Sequence, residues 1–137
     1  MLSSPNRLVA LIVGAVYIVI GILGFTATAG VGFFSTPGGL LLGLFEVNIA
    51  HNLLHLVIGV ALFLAALIGA FWAQIANSLV GLAYLALGLA GLFLIGSPLN
   101  FLAINVADNV LHFGTAAVLL AVGLGAGKPQ LPKRKAA

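Results

Sequence analysis

Four apolar segments dominate this chain and restrict it to a membrane-embedded fold. Each segment is close to the roughly 20 residues that a helix needs to cross the hydrocarbon core of a bilayer. They lie near residues 8–25, 47–71, 78–95 and 105–124. Lipid offers no hydrogen bonds to the backbone, so such segments are expected to be helical. We therefore predict an all-α fold, a four-transmembrane-helix bundle that forms a single domain over residues 1–137.

The scarcity of charge supports the same interpretation. The 137 residues are 63% hydrophobic and include five Lys or Arg and two Asp or Glu. Soluble domains carry roughly a quarter charged residues, so most of this surface is expected to face lipid. The chain contains no cysteine, which excludes disulfides, thiolate metal sites and thiol catalysis.

All the basic residues lie outside the predicted spans, close to the chain ends. They are Arg7, Lys128, Lys133, Arg134 and Lys135, the last four in a basic tail at 125–137. The positive-inside rule then places both termini in the cytoplasm. We expect a bacterial cytoplasmic membrane or another energy-transducing inner membrane. The tail is expected to contact anionic lipid rather than nucleic acid.

Two short patterns occur twice along the chain. A Y-x-x-x-G-x-x-G pattern begins at Tyr17 and again at Tyr84. The segment "NIAHNLLHL", which begins at Asn48, matches "NVADNVLHF", which begins at Asn105. We predict that the bundle consists of two parallel two-helix repeats, related by a pseudo-twofold axis along the membrane normal.

The glycines of the repeated pattern are predicted to serve helix packing, because small residues let helix backbones approach closely in lipid. These residues are Gly21, Gly24, Gly88 and Gly91. The connection between the first two spans, residues 26–45, is itself apolar. We expect it to lie at the membrane interface, with a lid over a binding pocket as the alternative.

Polar residues fall on one face of the second helix and on one face of the fourth. They are Asn48, His51, Asn52, His55, Asn105, Asp108, Asn109 and His112. Lipid would penalise these groups, so the two stripes are expected to face inward and towards each other. Asn48 and Asn105 are also predicted helix N-caps. Glu46 is predicted on the opposite side of its helix, exposed at the interface.

The first interpretation of these stripes is a hydrogen-bonded seam that joins the two helices and holds no cofactor. We favour this interpretation. A third possibility is that the stripes transfer protons over a short distance. A proton pathway across the whole membrane is not expected, because the cytoplasmic halves of the spans contain no ionisable groups.

The second interpretation is a metal or pigment site. Histidines one helical turn apart can present two nitrogens to one ion. The candidate ligands are His51, His55, Asp108 and His112. Such a set suits zinc, iron or manganese better than calcium. A single histidine could alternatively hold a haem or a chlorophyll. Asn52 and Asn109 are candidate hydrogen-bond partners for the ligands.

The repeated motifs resemble a known family. The pattern N-x-x-H-N-x-x-H-x-x-x-G from Asn48 and the pattern N-x-x-D-N-x-x-H from Asn105 are similar to those of small bacterial membrane proteins grouped as domain of unknown function 4383. The resemblance extends from about Arg7 to Leu124 and implies a four-span bundle. Ala116 stands where the repeat would place a glycine.

The sequence predicts a non-catalytic protein. It contains no P-loop, dinucleotide fingerprint, zinc-protease motif or set of serine, histidine and acid. We expect a structural or accessory subunit whose apolar faces contact lipid and other membrane proteins, or further copies of itself. The alternative function is metal or tetrapyrrole binding at the polar stripes.

Overall fold

The structure is a computed structural model that describes residues 4–126, and it contains the predicted four-helix bundle. The helices are α1 (Pro5–Ala27), α2 (Ile49–Ile68), α3 (Ala70–Leu94) and α4 (Val106–Gly125). Two short strands, β1 (Gly39–Leu41) and β2 (Phe45–Val47), lie between α1 and α2. All four helices are long and apolar enough to cross a membrane. Most of the predicted tail at 125–137 falls outside the described residues.

The bundle places small and polar residues inside and large apolar residues outside. On α1, Gly14 and Tyr17 are buried, whereas Val19 and Ile22 are more than half exposed, at 54% and 57%. In water such an exposed apolar surface would favour aggregation. In lipid it needs no partner, and close packing of small residues holds the helices together. The chain is therefore an integral membrane protein of the multi-pass type.

Helices α1 and α2 pack antiparallel with almost no space between their backbones. A Cβ atom on Gly14 would lie 2.7 Å from the Phe63 nitrogen and 2.8 Å from the Gly59 carbonyl oxygen. At Gly81, the residue of α3 that corresponds to Gly14, a Cβ would lie 3.1 Å from the Leu120 nitrogen of α4. The absence of side chains at these positions is what permits the close approach.

The four glycines predicted to serve packing lie at the same two interfaces. A Cβ on Gly21 would meet the Leu56 side chain at 2.8 Å, and one on Gly88 would meet the Phe113 ring at 3.0 Å. The next glycine along each helix faces an asparagine amide instead. These pairs are Gly24 with Asn52 and Gly91 with Asn109. The contacts between α1 and α2 thus recur between α3 and α4 at corresponding positions.

Corresponding contacts also recur at the end of the bundle at which α1 begins. Arg7 donates from Nε to the Ala66 carbonyl at 2.8 Å, near the C-terminus of α2. Gln74, at the corresponding position of α3, donates to the Gly123 carbonyl at 2.9 Å, near the C-terminus of α4. These bonds satisfy carbonyl groups that a helix end leaves free. They support the predicted repeat, whose pseudo-twofold axis stays a prediction.

The start of the third helix was predicted too late. We expected it near Ser78, but α3 begins at Ala70, and Gly69 alone separates it from α2. Gly69 has φ 158°, which allows an abrupt change of direction. Asn77 lies inside α3, where its amide donates to the Asn6 carbonyl at 3.0 Å. A polar residue in a membrane helix can thus mark an interhelical contact as well as a helix start.

The connection between α1 and α2 folds over one end of the bundle. Strands β1 and β2 pair antiparallel, with Gly39 opposite Val47, and the sequence analysis did not predict this hairpin. Residue Leu42 and Gly43 in its turn both have positive φ angles. The Asn48 amide donates to Phe101 in the connection between α3 and α4, at 2.8 Å. We call this the hairpin end of the bundle.

Candidate metal centre

The polar residues of α2 and α4 lie at the hairpin end, and most of them are buried. Those with at most 4% of their surface exposed are Asn48, His51, Asn52, His55, Asp108, Asn109 and His112. Asn105 is partly buried. The stripes therefore face the interior rather than the surrounding lipid. They do not all come together, because the asparagines, the aspartate and the histidines have different neighbours.

Asn48 and Asn105 begin their helices in the same way. Asn48 accepts a hydrogen bond from the His51 nitrogen at 2.9 Å, and Asn105 accepts one from the Asp108 nitrogen at 3.0 Å. Both also tie loops to the bundle, since Asn105 donates to the Leu44 carbonyl of the hairpin turn. Each side chain thus satisfies a free N–H group of a helix start and fixes where that helix enters the bundle.

Asn52 and Asn109 do not support the histidines as predicted. The Asn52 amide donates to the Thr28 hydroxyl at 3.5 Å, and the Asn109 amide donates to the Gly88 carbonyl at 3.1 Å. Both side chains point to the interfaces within each helix pair, where a glycine leaves room for the amide. They hold α1 to α2 and α3 to α4, and they leave the imidazoles without these partners.

His51, His55 and His112 converge between the two helix pairs. One possible ligand atom from each lies within 4.8 Å of the others, and all three side chains are buried. The ring centroids of His51 and His55 are 4.4 Å apart, and those of His51 and His112 are 5.8 Å apart. Two of these histidines lie on successive turns of α2, and the third lies on α4. We call these residues the three-histidine cluster.

The nitrogens of this cluster are buried without hydrogen bonds to the described residues. Both ring nitrogens of His51 and of His55, and Nδ1 of His112, lack a partner there. The backbone carbonyl groups of Leu102 and Glu46 are the acceptors beside His51, but they do not reach hydrogen-bond geometry. Within residues 4–126, no side-chain hydrogen bond joins the two stripes, so the predicted hydrogen-bonded seam is wrong.

Asp108 does not belong to the group of converging histidine ligand atoms, and its role as a ligand stays a prediction. Its Oδ2 atom accepts from the backbone N–H of Asn105 at 2.9 Å and from that of Glu46 at 3.1 Å. The first bond completes a capping box at the start of α4. The second attaches the hairpin to that helix. The carboxylate thus serves the helix start and the fold of the loop.

Glu46 does not lie on a helix. It belongs to β2 and is partly buried, and its carboxylate accepts from the Gly38 nitrogen at 2.7 Å. The predicted exposed position on the second helix is therefore wrong. The helix begins after the Asn48 cap, and the residues before this cap form a strand instead.

Two tyrosines complete the surroundings of the three-histidine cluster, and the predicted site omitted them. Tyr17 packs edge-on against His55 at 5.1 Å, and Tyr84 packs against His112 at 5.2 Å. The two phenol rings also contact each other at 5.3 Å. The signal was in the sequence, since these tyrosines begin the repeated Y-x-x-x-G-x-x-G pattern. We treated that pattern as a marker of helix packing alone.

Comparison with families of related sequences identifies the group to which this arrangement belongs. A family described as a domain of unknown function, DUF4383, matches residues 7–125. The chain belongs to the DUF4383 family. The match includes both polar stripes, the hairpin and both tyrosines, and the predicted resemblance is confirmed. Comparisons with curated proteins and with solved structures gave no match.

In this DUF4383 chain, Asp108→Ala separates the capping role from a ligand role. The change removes two hydrogen bonds to a carboxylate. We expect the free energy of unfolding to fall by about 2 kcal/mol. Any metal content of the protein should stay the same, because the three histidines remain. Denaturant titration in detergent and metal analysis of the same samples measure both effects. A loss of metal at unchanged stability would show that Asp108 is a ligand.

Proposed function

We propose that this protein binds a transition-metal ion through His51, His55 and His112, and that it does so without catalysing a reaction. The observation that carries the proposal is the convergence of three buried imidazoles whose ligand atoms lie within 4.8 Å of one another. Three histidines are a recurrent ligand set for zinc, copper and iron in proteins.

The energetics of the cluster support the same function. A buried polar group without a hydrogen-bond partner destabilises a fold by about 1–3 kcal/mol. Five nitrogens of the cluster are buried and have no hydrogen-bond partner among the described residues. Coordination to an ion would satisfy one nitrogen of each ring at once. A seam that served stability alone would instead pair these nitrogens with acceptors or donors.

The packing of the rings favours an ion over a haem or a chlorophyll. The three imidazoles and two phenols contact one another with centroid separations between 4.4 and 5.8 Å. An ion fits between converging nitrogen atoms after small ring rotations. A macrocycle would have to displace several of these rings.

For the membrane and the orientation of the chain, we propose what the sequence predicts. We propose a bacterial cytoplasmic or other energy-transducing inner membrane, with both termini cytoplasmic, since the basic residues lie beside the termini. The three-histidine cluster then lies in the outer half of the membrane. A role as an accessory subunit has no specific support, because apolar helix faces suit lipid and protein spans equally.

Metal loading of purified protein tests the proposal. The full chain in detergent is stripped with a chelator, offered Zn(II), Fe(II) or Cu(I) in separate samples, and desalted. We expect about one equivalent of at least one ion per chain, measured by elemental analysis. The variants His51→Gln and His112→Gln should each lose most of it, because two donors remain.

Gln74→Ala is the matched control. It removes a partly buried amide contact at the opposite end of the bundle and should keep the full metal content. The proposal fails if no ion binds to the wild-type protein. It fails equally if the histidine variants retain as much metal as Gln74→Ala.

A further inference from the structure

The three-histidine cluster contains no negatively charged ligand, and this feature bears on which ion it binds. The chain has two acidic residues, Asp108 and Glu46. Asp108 accepts from two backbone N–H groups, and Glu46 accepts from Gly38. Neither belongs to the group of converging ligand atoms. The chain also has no cysteine. The cluster therefore offers an ion three imidazoles, which are neutral as ligands.

Burial makes the charge of the ion important. The three side chains are between 1% and 3% exposed. The free-energy cost of moving an ion out of water grows with the square of its charge, so a divalent ion meets a penalty about four times that of a monovalent one. Helices α2 and α4 both begin at this end of the bundle. Their N-termini carry partial positive charge, which disfavours a second positive charge further.

We propose that the cluster selects Cu(I) over Zn(II) and other divalent ions, an inference that rests on the metal site proposed above. Imidazole nitrogen is an accepted ligand for copper. Three such donors give a monovalent ion a complete low-coordinate shell with no need for an anion. A divalent ion in the same place would have no anionic ligand to offset its second charge.

Comparison of the two repeats suggests a substitution that changes the charge of the site. His51 occupies the position in α2 that Asp108 occupies in α4, so the helix start accommodates a carboxylate there. His51→Asp would leave His55 and His112 as ligands and add a negative charge beside them, even if its carboxylate caps α2 as Asp108 caps α4. A negative charge beside the ligands offsets the charge of a divalent ion more than that of a monovalent one. His51→Asn is the matched neutral control, since it removes the same imidazole and adds no charge.

Competition titrations of the full chain in detergent test the inference. Cu(I) affinity is measured under a reductant against bathocuproine disulfonate, and Zn(II) affinity against a chromogenic zinc chelator at the same pH. We expect wild-type protein to bind Cu(I) at least roughly 100-fold more tightly than Zn(II). His51→Asp should lower this ratio by about 100-fold or more, whereas His51→Asn should weaken both ions and change the ratio little.

The outcomes separate the inference from the proposed function. Zn(II) binding to the wild-type protein as tightly as Cu(I) overturns the selectivity and leaves the metal site intact. Binding of neither ion overturns both. An equal change of the ratio in His51→Asp and His51→Asn would show that charge is not the cause, and it also overturns the inference. Should His51→Asp fail to fold, the wild-type ratio decides alone.

Discussion

Replacement of His55 by leucine is expected to make the metal-free protein more stable and to abolish metal binding. Both His55 nitrogens are buried without a partner among the described residues, and the side chain is 3% exposed. An apolar side chain of similar size removes this unsatisfied group and keeps most of the packing against Tyr17. We expect the free energy of unfolding in the presence of a chelator to rise by about 1–2 kcal/mol.

The same variant should lose the stabilisation that a bound ion gives. A ligand at 100 times its dissociation constant stabilises the folded state by about 2.7 kcal/mol. Wild-type protein should show such a gain when metal is added, and His55→Leu should show almost none. Denaturant titrations of both proteins, each with metal and with chelator, measure the four free energies. Gln74→Leu serves as control, because it should lower stability and keep the response to metal.

The sign of the change in metal-free protein distinguishes the two interpretations of the polar stripes. If the histidines hold the helices together, His55→Leu lowers the free energy of unfolding with or without metal. If they form a binding site, their unpaired nitrogens destabilise the protein when the ion is absent, and His55→Leu raises the free energy of unfolding in the presence of a chelator. A clear loss of stability in the presence of a chelator would therefore contradict the proposed function.

Gly59→Ala is expected to destabilise the bundle strongly, because the new methyl group would lie at the contact between α1 and α2. The new Cβ would lie 2.7 Å from the Ile18 nitrogen and 2.8 Å from the Gly14 carbonyl oxygen. Both are backbone atoms of α1, so no side chain can rotate away and the helices must separate. We expect the free energy of unfolding to fall by about 3 kcal/mol.

Gly114→Ala is the matched control for this change. Gly114 is also in a helix, but a Cβ there would meet nothing within 4 Å. The free energy of unfolding of Gly114→Ala should equal that of the wild-type protein or exceed it slightly, because alanine favours helix more than glycine does. Unfolding of the two variants in one detergent provides the measurement. Equal effects of the two changes would mean that the contact between α1 and α2 does not hold the bundle together.

The sequence was sufficient for the architecture because the solvent restricts the choice. Four apolar segments in lipid leave few alternatives to four helices. The first and fourth predicted helices agree with α1 and α4 within three residues at each end. The asparagine caps at Asn48 and Asn105 were also predictable, since a cap is a local hydrogen bond between residues three apart.

The remaining features could not be predicted from local sequence patterns, because they depend on contacts between distant segments of the chain. The start of the third helix was misplaced because Asn77, the residue before the expected start, bonds to Asn6, which lies 71 positions earlier in the sequence. Asp108 resembled a ligand because it lies one helical turn before His112 and matches His51 in the repeat. Its second hydrogen bond comes from Glu46, in a hairpin that the sequence analysis did not predict. The repeated pattern marked both tyrosines, but their contacts with the histidines appear only when α1 and α3 are placed together.

The difference between His51 and Asp108 shows what two repeats in one chain make possible. A dimer of identical two-helix units would have to use the same residue twice, either two imidazoles or two carboxylates. One covalent chain can assign the position differently in each half. The first half supplies the third imidazole, and the second half supplies a carboxylate that fastens the hairpin. Fusion into one chain thus allows corresponding positions of the two halves to take different roles.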